Sequence, residues 1–118
     1  MKVAITGGSG FLGSNLSNLI ASKGHEVKIL DNFYRNSNQY INNNIEIFNC
    51  DIRNENSLIE YSKDTDVLIH LAFINGTKYF YEKPELVLDV GVRGMLNSIN
   101  AIKKNKIKKF ILASSSEV

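Results

Sequence analysis

Apolar residues along this chain fall in short blocks, separated by glycine turns, lysine runs and one asparagine-rich stretch. Val3-Ala4-Ile5 is an unbroken apolar run and predicts a buried strand. A glycine-rich turn follows. Leu12, Leu16, Leu19 and Ile20 then recur at helical spacing, predicting a helix over residues 10–23 with Gly24 just past its end. His25 to Leu30 alternates and then ends apolar, which predicts a second strand. Residues 32–44 are polar, with Phe33, Tyr34, Tyr40 and Ile41 interspersed, and predict a surface loop. Ile45 to Cys50 predicts a third strand, and residues 55–62 a short helix with Leu58 and Ile59 inward.

The second half continues the alternation. Asp66 to Ala72 is nearly all apolar after its first residue, as in a central parallel strand covered on both faces. Residues 73–83 predict a loop, and Pro84 suits the first turn of a helix over residues 84–104. That helix carries an apolar stripe (Leu88, Val92, Met95, Ile99, Ile102) and a small one (Gly91, Gly94, Ser98, Ala101). Both are read as packing faces, one for the sheet and one for a further element such as a second subunit. Ile107 to Ala113 predicts a fifth strand, after which Ser114-Ser115-Ser116-Glu117-Val118 closes the chain. The alternation predicts an α/β fold. It is a Rossmann-type doubly wound parallel sheet of strand order 3-2-1-4-5, truncated after strand 5, with a ligand at the switch point between strands 1 and 4.

At 118 residues the chain makes one domain. A net charge of +2 is too small to argue for nucleic acid. Lys103, Lys104, Lys106, Lys108 and Lys109 lie at the end of the last helix with no interleaved aromatic, and read as a solvated loop. The single cysteine, Cys50, allows no internal disulfide and fits a reducing compartment. With no signal-peptide pattern after Met1 and no apolar run of about 20 residues, the expected setting is cytoplasmic and away from membranes. No metal site is expected.

Candidate chemistry falls at the C-terminal ends of the predicted strands. Gly7 permits a sharp turn, Gly10 leaves room for a pyrophosphate against the backbone, and Gly13 lets the helix sit close to the strand. The unpaired N–H groups of the following helix suit phosphate. Asp31 stands 18 residues after Gly13, where a carboxylate holds the adenosine ribose hydroxyls; its alternative is a turn or capping role. Arg35 nearby leaves a 2′-phosphate open. Asp51 is read either as an acceptor for the adenine amino group, with Ile52 covering the ring, or as a salt bridge or helix cap. His70 lies inside an apolar strand and is read as a hydrogen-bonded core residue.

On these residues the chain resembles the extended short-chain dehydrogenase/reductase family, the NAD-dependent epimerases and dehydratases of nucleotide sugars. Thr6-Gly7-Gly8-Ser9-Gly10-Phe11-Leu12-Gly13 resembles its TGxxGxxG loop, Asp31-Asn32 its ribose site and Asp51-Ile52 its adenine contact. His70-Leu71-Ala72 resembles its HLAA segment, and Ser114 to Val118 the segment carrying its catalytic Ser/Thr. The resemblance implies an NAD(P)-binding domain over residues 1–118. Its NAD contacts would come from Gly7, Gly10, Phe11, Leu12, Gly13, Asp31, Asn32, Asp51, Ile52, Leu71, Ala72 and Phe73. It further implies a catalytic hydroxyl on Ser115, and Asn75, Ser116 and Glu117 beside a nucleotide-sugar substrate. Two departures stand out: Gly91 where the family usually has Asn, and Asn75 where some 4-epimerases have Lys.

The family's Tyr-x-x-x-Lys pair follows strand 5 and lies beyond Val118. Tyr79 and Lys83 have that spacing but precede Pro84, so they are read as lining the substrate pocket. The implied function is the NAD-binding portion of a nucleotide-sugar epimerase or dehydratase, similar to UDP-glucose 4-epimerase. The portion alone is expected to be inactive and prone to self-association, with a homodimer through the 84–104 helix. The alternatives are a non-catalytic NAD-binding sensor module and a structural fragment that binds nothing.

Overall fold

The computed structural model describes residues 1–35, 38–74 and 76–114. The elements in order are β1 (Lys2–Thr6), α1 (Phe11–Ser22), β2 (Glu26–Asp31), β3 (Glu46–Asn49), α2 (Glu55–Tyr61), β4 (Val67–His70), α3 (Thr77–Glu82), α4 (Pro84–Asn105) and β5 (Lys109–Leu112). The strands form one parallel sheet in the order β3-β2-β1-β4-β5. This is the predicted order, and β1 holds its centre.

Strand periodicity divides the core. Val3, Ile5, Val27, Ile29, Val67 and Ile69 face one side, where Leu16, Ile20 and Ala21 of α1 pack against them. Ala4, Leu30 and Leu68 face the other, covered by Leu58 of α2 and by Ala101 and Ile102 of α4. Ile5, Ile29, Leu30, Leu58 and Leu68 are fully buried. Each such side chain contributes about 1.5–3 kcal/mol of transfer free energy. A smaller cluster of Ile52, Ile74, Val87 and Val90 is joined by Ala72, Tyr79 and Leu86.

One expectation is corrected, and two helix faces are decided. Residues 77–82, expected as loop, form α3: Gly76, at φ 109°, turns the chain, and Tyr79 packs on the cluster of Ile52 and Val87. Six residues are too few to be helical on their own, so this contact supplies what local propensity does not. In α1, Leu12 and Leu19 point outward, while Gly13, Ser14 and Ser17 are buried. The helix is pulled so near the glycine turn that only small residues fit beneath it. In α4 the small stripe does the sheet-facing work. Gly94, Asn97, Ser98 and Ala101 are buried, whereas Leu88, Val92, Leu96 and Ile99 are exposed.

Asn54 caps α2 by accepting from the Ser57 N–H at 3.1 Å. Lys106, in the left-handed conformation, ends α4. Among the described residues no helix is long and apolar enough to cross a membrane, and no cluster of metal-ligating side chains occurs.

Candidate functional site

The turn from β1 to α1 is built by backbone contacts that exclude side chains. Gly7 has φ 70°, and a Cβ there would lie 2.8 Å from the Ala72 nitrogen. A Cβ on Gly13 would collide with the Gly7 carbonyl oxygen and the Gly8 backbone. Gly10 differs: a Cβ there would meet only the Gly7 oxygen, at 3.5 Å. Its outer side is open, as a ligand approaching the backbone requires. No side chain caps α1. The N–H groups of Phe11, Leu12 and Gly13 therefore have no intrahelical acceptor, and they carry the positive end of the helix dipole.

Asp31, at the end of β2, leans onto this turn. Its Oδ2 accepts from the Ser9 N–H at 3.1 Å and its Oδ1 from the Phe33 N–H at 2.8 Å. The turn role foreseen for it is thus present. Two carboxylate oxygens offer about four acceptor sites, so ribose hydroxyls can still be taken.

Asp51 makes the salt bridge that was its alternative reading. Arg53 donates from its backbone N–H and Nε to Oδ1 at 2.9 and 3.1 Å, and from Nη2 to Oδ2 at 2.7 Å. These bonds hold the carboxyl below the usual aspartate range, with Asn32 adding a long contact at 3.5 Å. Arg53 also faces Asp89 of α4 at 3.6 Å, and Asp89 accepts from Arg93 Nε at 2.7 Å. Beside Asp51, Ile52 is locked in place. Asn97 Nδ2 donates to its carbonyl at 2.9 Å, and its side chain fills the space a Cβ on Gly94 would need.

His70 is a buried hydrogen-bonded residue, as expected, 6% exposed. Thr6 Oγ1 accepts from the Leu71 and Ala72 N–H groups, both at 3.2 Å, and lies 2.8 Å from His70 Nδ1. Ser98 Oγ donates to the Gly94 carbonyl at 2.8 Å and stands 3.4 Å from the same nitrogen. Burial pushes the imidazole pKa down to about 4, so the ring is neutral. Burial, aided by the Asp51 charge, pushes the Cys50 thiol up to about 11, and it has no nucleophilic character.

Gly7, Gly10, Phe11, Leu12, Gly13, Asp31, Asn32, Asp51, Ile52, Leu71, Ala72 and Phe73 thus follow the C-terminal ends of β1, β2, β3 and β4, along one edge of the sheet. Phe73 is 52% exposed, and its ring covers Gly91, where a Cβ would come within 2.7 Å of it. Asn75, Ser115, Ser116 and Glu117 lie outside the described residues. Arg53, Asn97 and the Thr6 hydroxyl were missed in sequence. The available signals were an Asn on the buried face of an otherwise small-residue stripe and a Thr directly before the turn. A cavity of about 440 Å³ opens at the opposite, N-terminal edge, lined by Lys2, His25, Glu26 and Glu46 among others. It is far from the glycine turn.

Comparison with known proteins agrees with this fold. The chain is 41% identical to a UDP-N-acetyl-alpha-D-glucosaminuronate decarboxylase of Bacillus cytotoxicus, over 99% of this chain and 37% of that protein. It is 36% identical to a UDP-glucose 4-epimerase of Klebsiella pneumoniae, over 100% of this chain and 91% of the relative. It superposes on the UDP-glucose 4-epimerase of Thermus thermophilus, solved in complex with NAD, with a TM-score of 0.87 at 28% identity; the match covers 98% of this chain and 38% of that one. The chain thus spans little more than a third of the Bacillus and Thermus proteins. A family profile matches residues 3–118, and the chain belongs to the NAD dependent epimerase/dehydratase family.

Proposed function

We propose that this chain is the cofactor-binding portion of an NAD-dependent enzyme that epimerises, dehydrates or otherwise oxidises a nucleotide sugar. The observation that carries the reading is the open backbone at Gly10 over the uncapped start of α1, with Asp31 tied to the same turn. That arrangement suits a dinucleotide: N–H groups for the pyrophosphate, a carboxylate for the ribose, and Asp51-Ile52 for the adenine. NAD, when bound, supplies a hydride acceptor for a sugar carbon. Asp31 favours it over NADP, because a 2′-phosphate would face a carboxylate.

The chain's own residues orient rather than transfer. Thr6 fixes the Leu71 and Ala72 N–H groups, so the strand edge along the cofactor cannot shift. Ser115 is assigned the hydroxyl that holds the reacting sugar hydroxyl, with Asn75, Ser116 and Glu117 beside the sugar. The general base is assigned to the Tyr-x-x-x-Lys pair of the parent protein, and this portion alone is inactive. The setting proposed is cytoplasmic. The exposed apolar face of α4 is assigned to a homodimer.

Titration of NADH into the chain, followed by its fluorescence, tests the reading. Binding is expected, stronger than for NADPH, and Asp31→Ala weakens it by about tenfold, the scale of a lost hydrogen bond to a charged group. No binding at millimolar NADH defeats it. The sensor alternative predicts the same binding but a parent protein that lacks the Tyr-Lys pair and oxidises no sugar.

A further inference from the structure

Tyr79, expected to line the substrate pocket, packs beside residues assigned to the cofactor. Its half-buried ring packs on the cluster of Ile52, Ile74, Val87 and Val90, which Ala72 also joins. Ile52 and Ala72 are both assigned to the cofactor. From the other side Tyr34, two residues past Asn32, brings its ring to 6.0 Å from that of Tyr79, with the planes inclined by 59°. The Arg35 guanidinium lies 5.8 Å over the Tyr79 ring, within cation–π range.

Local backbone geometry sets up this meeting. Phe33 adopts φ 59°, and the Phe33 and Tyr34 N–H groups donate to Asp31 Oδ1 and Asn32 Oδ1. The chain leaving β2 is thereby turned toward α3. Asn32 in turn reaches Asp51. The segment after β2 and the helix after β4 therefore meet around Asp51-Ile52, and Tyr34 keeps 43% of its surface open there.

Resting on the reading that this edge holds NAD, we infer that Tyr34 and Tyr79 are further cofactor-binding residues, forming an aromatic wall for the adenosine end of the dinucleotide. Ile52 is the apolar floor of that end, and Asp51 and Asp31 are its acceptors. A purine presents polarisable faces that aromatic rings bind without hydrogen-bond readout. The wall also gives α3 a purpose: it places a ring that a loop would leave unfixed. Tyr81 is 76% exposed, paired edge-on with Phe80, and plays no part in the wall.

Calorimetric titration of the chain with ADP-ribose tests the wall. Tyr79→Leu keeps an apolar side chain on the cluster but is expected to weaken ADP-ribose by about tenfold, the scale of one base–aromatic contact. Tyr79→Phe and Tyr81→Ala retain wild-type affinity. Wild-type affinity in Tyr79→Leu overturns the inference, and so does an equal loss in Tyr79→Phe. If Tyr79→Leu fails to fold, Tyr34→Ala on the exposed loop reads the same wall, and unchanged affinity there overturns it. A wild-type chain that binds neither NADH nor ADP-ribose overturns the cofactor reading itself, and the wall with it.

Discussion

The Thr6 hydroxyl and His70 Nδ1 stand 2.8 Å apart in a buried hydrogen bond between β1 and β4, and the same hydroxyl oxygen accepts from the N–H groups of Leu71 and Ala72. Burial keeps that imidazole neutral.

Stability should therefore depend on pH through His70. Unfolded histidine titrates near its ordinary value of about 6.5, whereas His70 in the fold titrates at about 4. The unfolded chain takes up the proton first. Stability is full above about pH 6.5 and is lost as pH falls through about 4, by roughly 3 kcal/mol in all. Urea unfolding across that range should show the slope, and His70→Asn should remove most of it. A wild-type curve flat from neutrality down to about pH 4 contradicts the assignment.

Two glycine substitutions should separate the cofactor turn from ordinary turn geometry. Gly13→Ala drives a methyl into the Gly7 carbonyl and Gly8 backbone, which cannot move aside. It should cost about 1–3 kcal/mol and abolish NADH binding. Gly24→Ala meets nothing within 4 Å but must hold φ 90°. It should cost about 1–2 kcal/mol through the backbone alone and leave NADH affinity unchanged. Thermal melts paired with NADH titrations read both.

The outer face of α4 should govern association. Leu88, Val92, Leu96 and Ile99 are 65%, 57%, 57% and 39% exposed, and Ile111 and Leu112 of the edge strand β5 are 52% and 45% exposed. Surfaces of this kind seek partners. Light scattering should find the wild-type chain associated, and Val92→Lys with Leu96→Lys should shift it toward monomer. A monodisperse wild-type monomer contradicts the dimer assignment.

Much of this was legible from residues alone because glycine has few reasons to recur at fixed spacing. Gly7 and Gly13 announced close backbone contacts and Gly10 an open approach, and Asp31 and Asp51 marked the neighbouring strand ends. Strand order followed from alternation and handedness. Helix faces were harder. Periodicity in α4 finds two stripes but cannot say which one meets the sheet; that was decided by the room beside Ile52, which admits only Gly94. The α3 helix was invisible because a distant cluster holds it, through Tyr79. Asp51 offered two readings, and only the position of Arg53 showed that its carboxylate is engaged in an ion pair.

The central place of β1 has a consequence for how the molecule comes into being. Thr6 pairs with His70 in the sheet, 64 residues later, so β1 must wait for its second neighbour. At about 5–20 residues per second, synthesis leaves one side of β1 unpaired for roughly 3–13 s. During that interval Gly7 has no Ala72 backbone to lie against, and the phosphate turn is incomplete. Competence to hold a dinucleotide thus waits for the emergence of β4, although the residues that look most like a nucleotide site are made well before it.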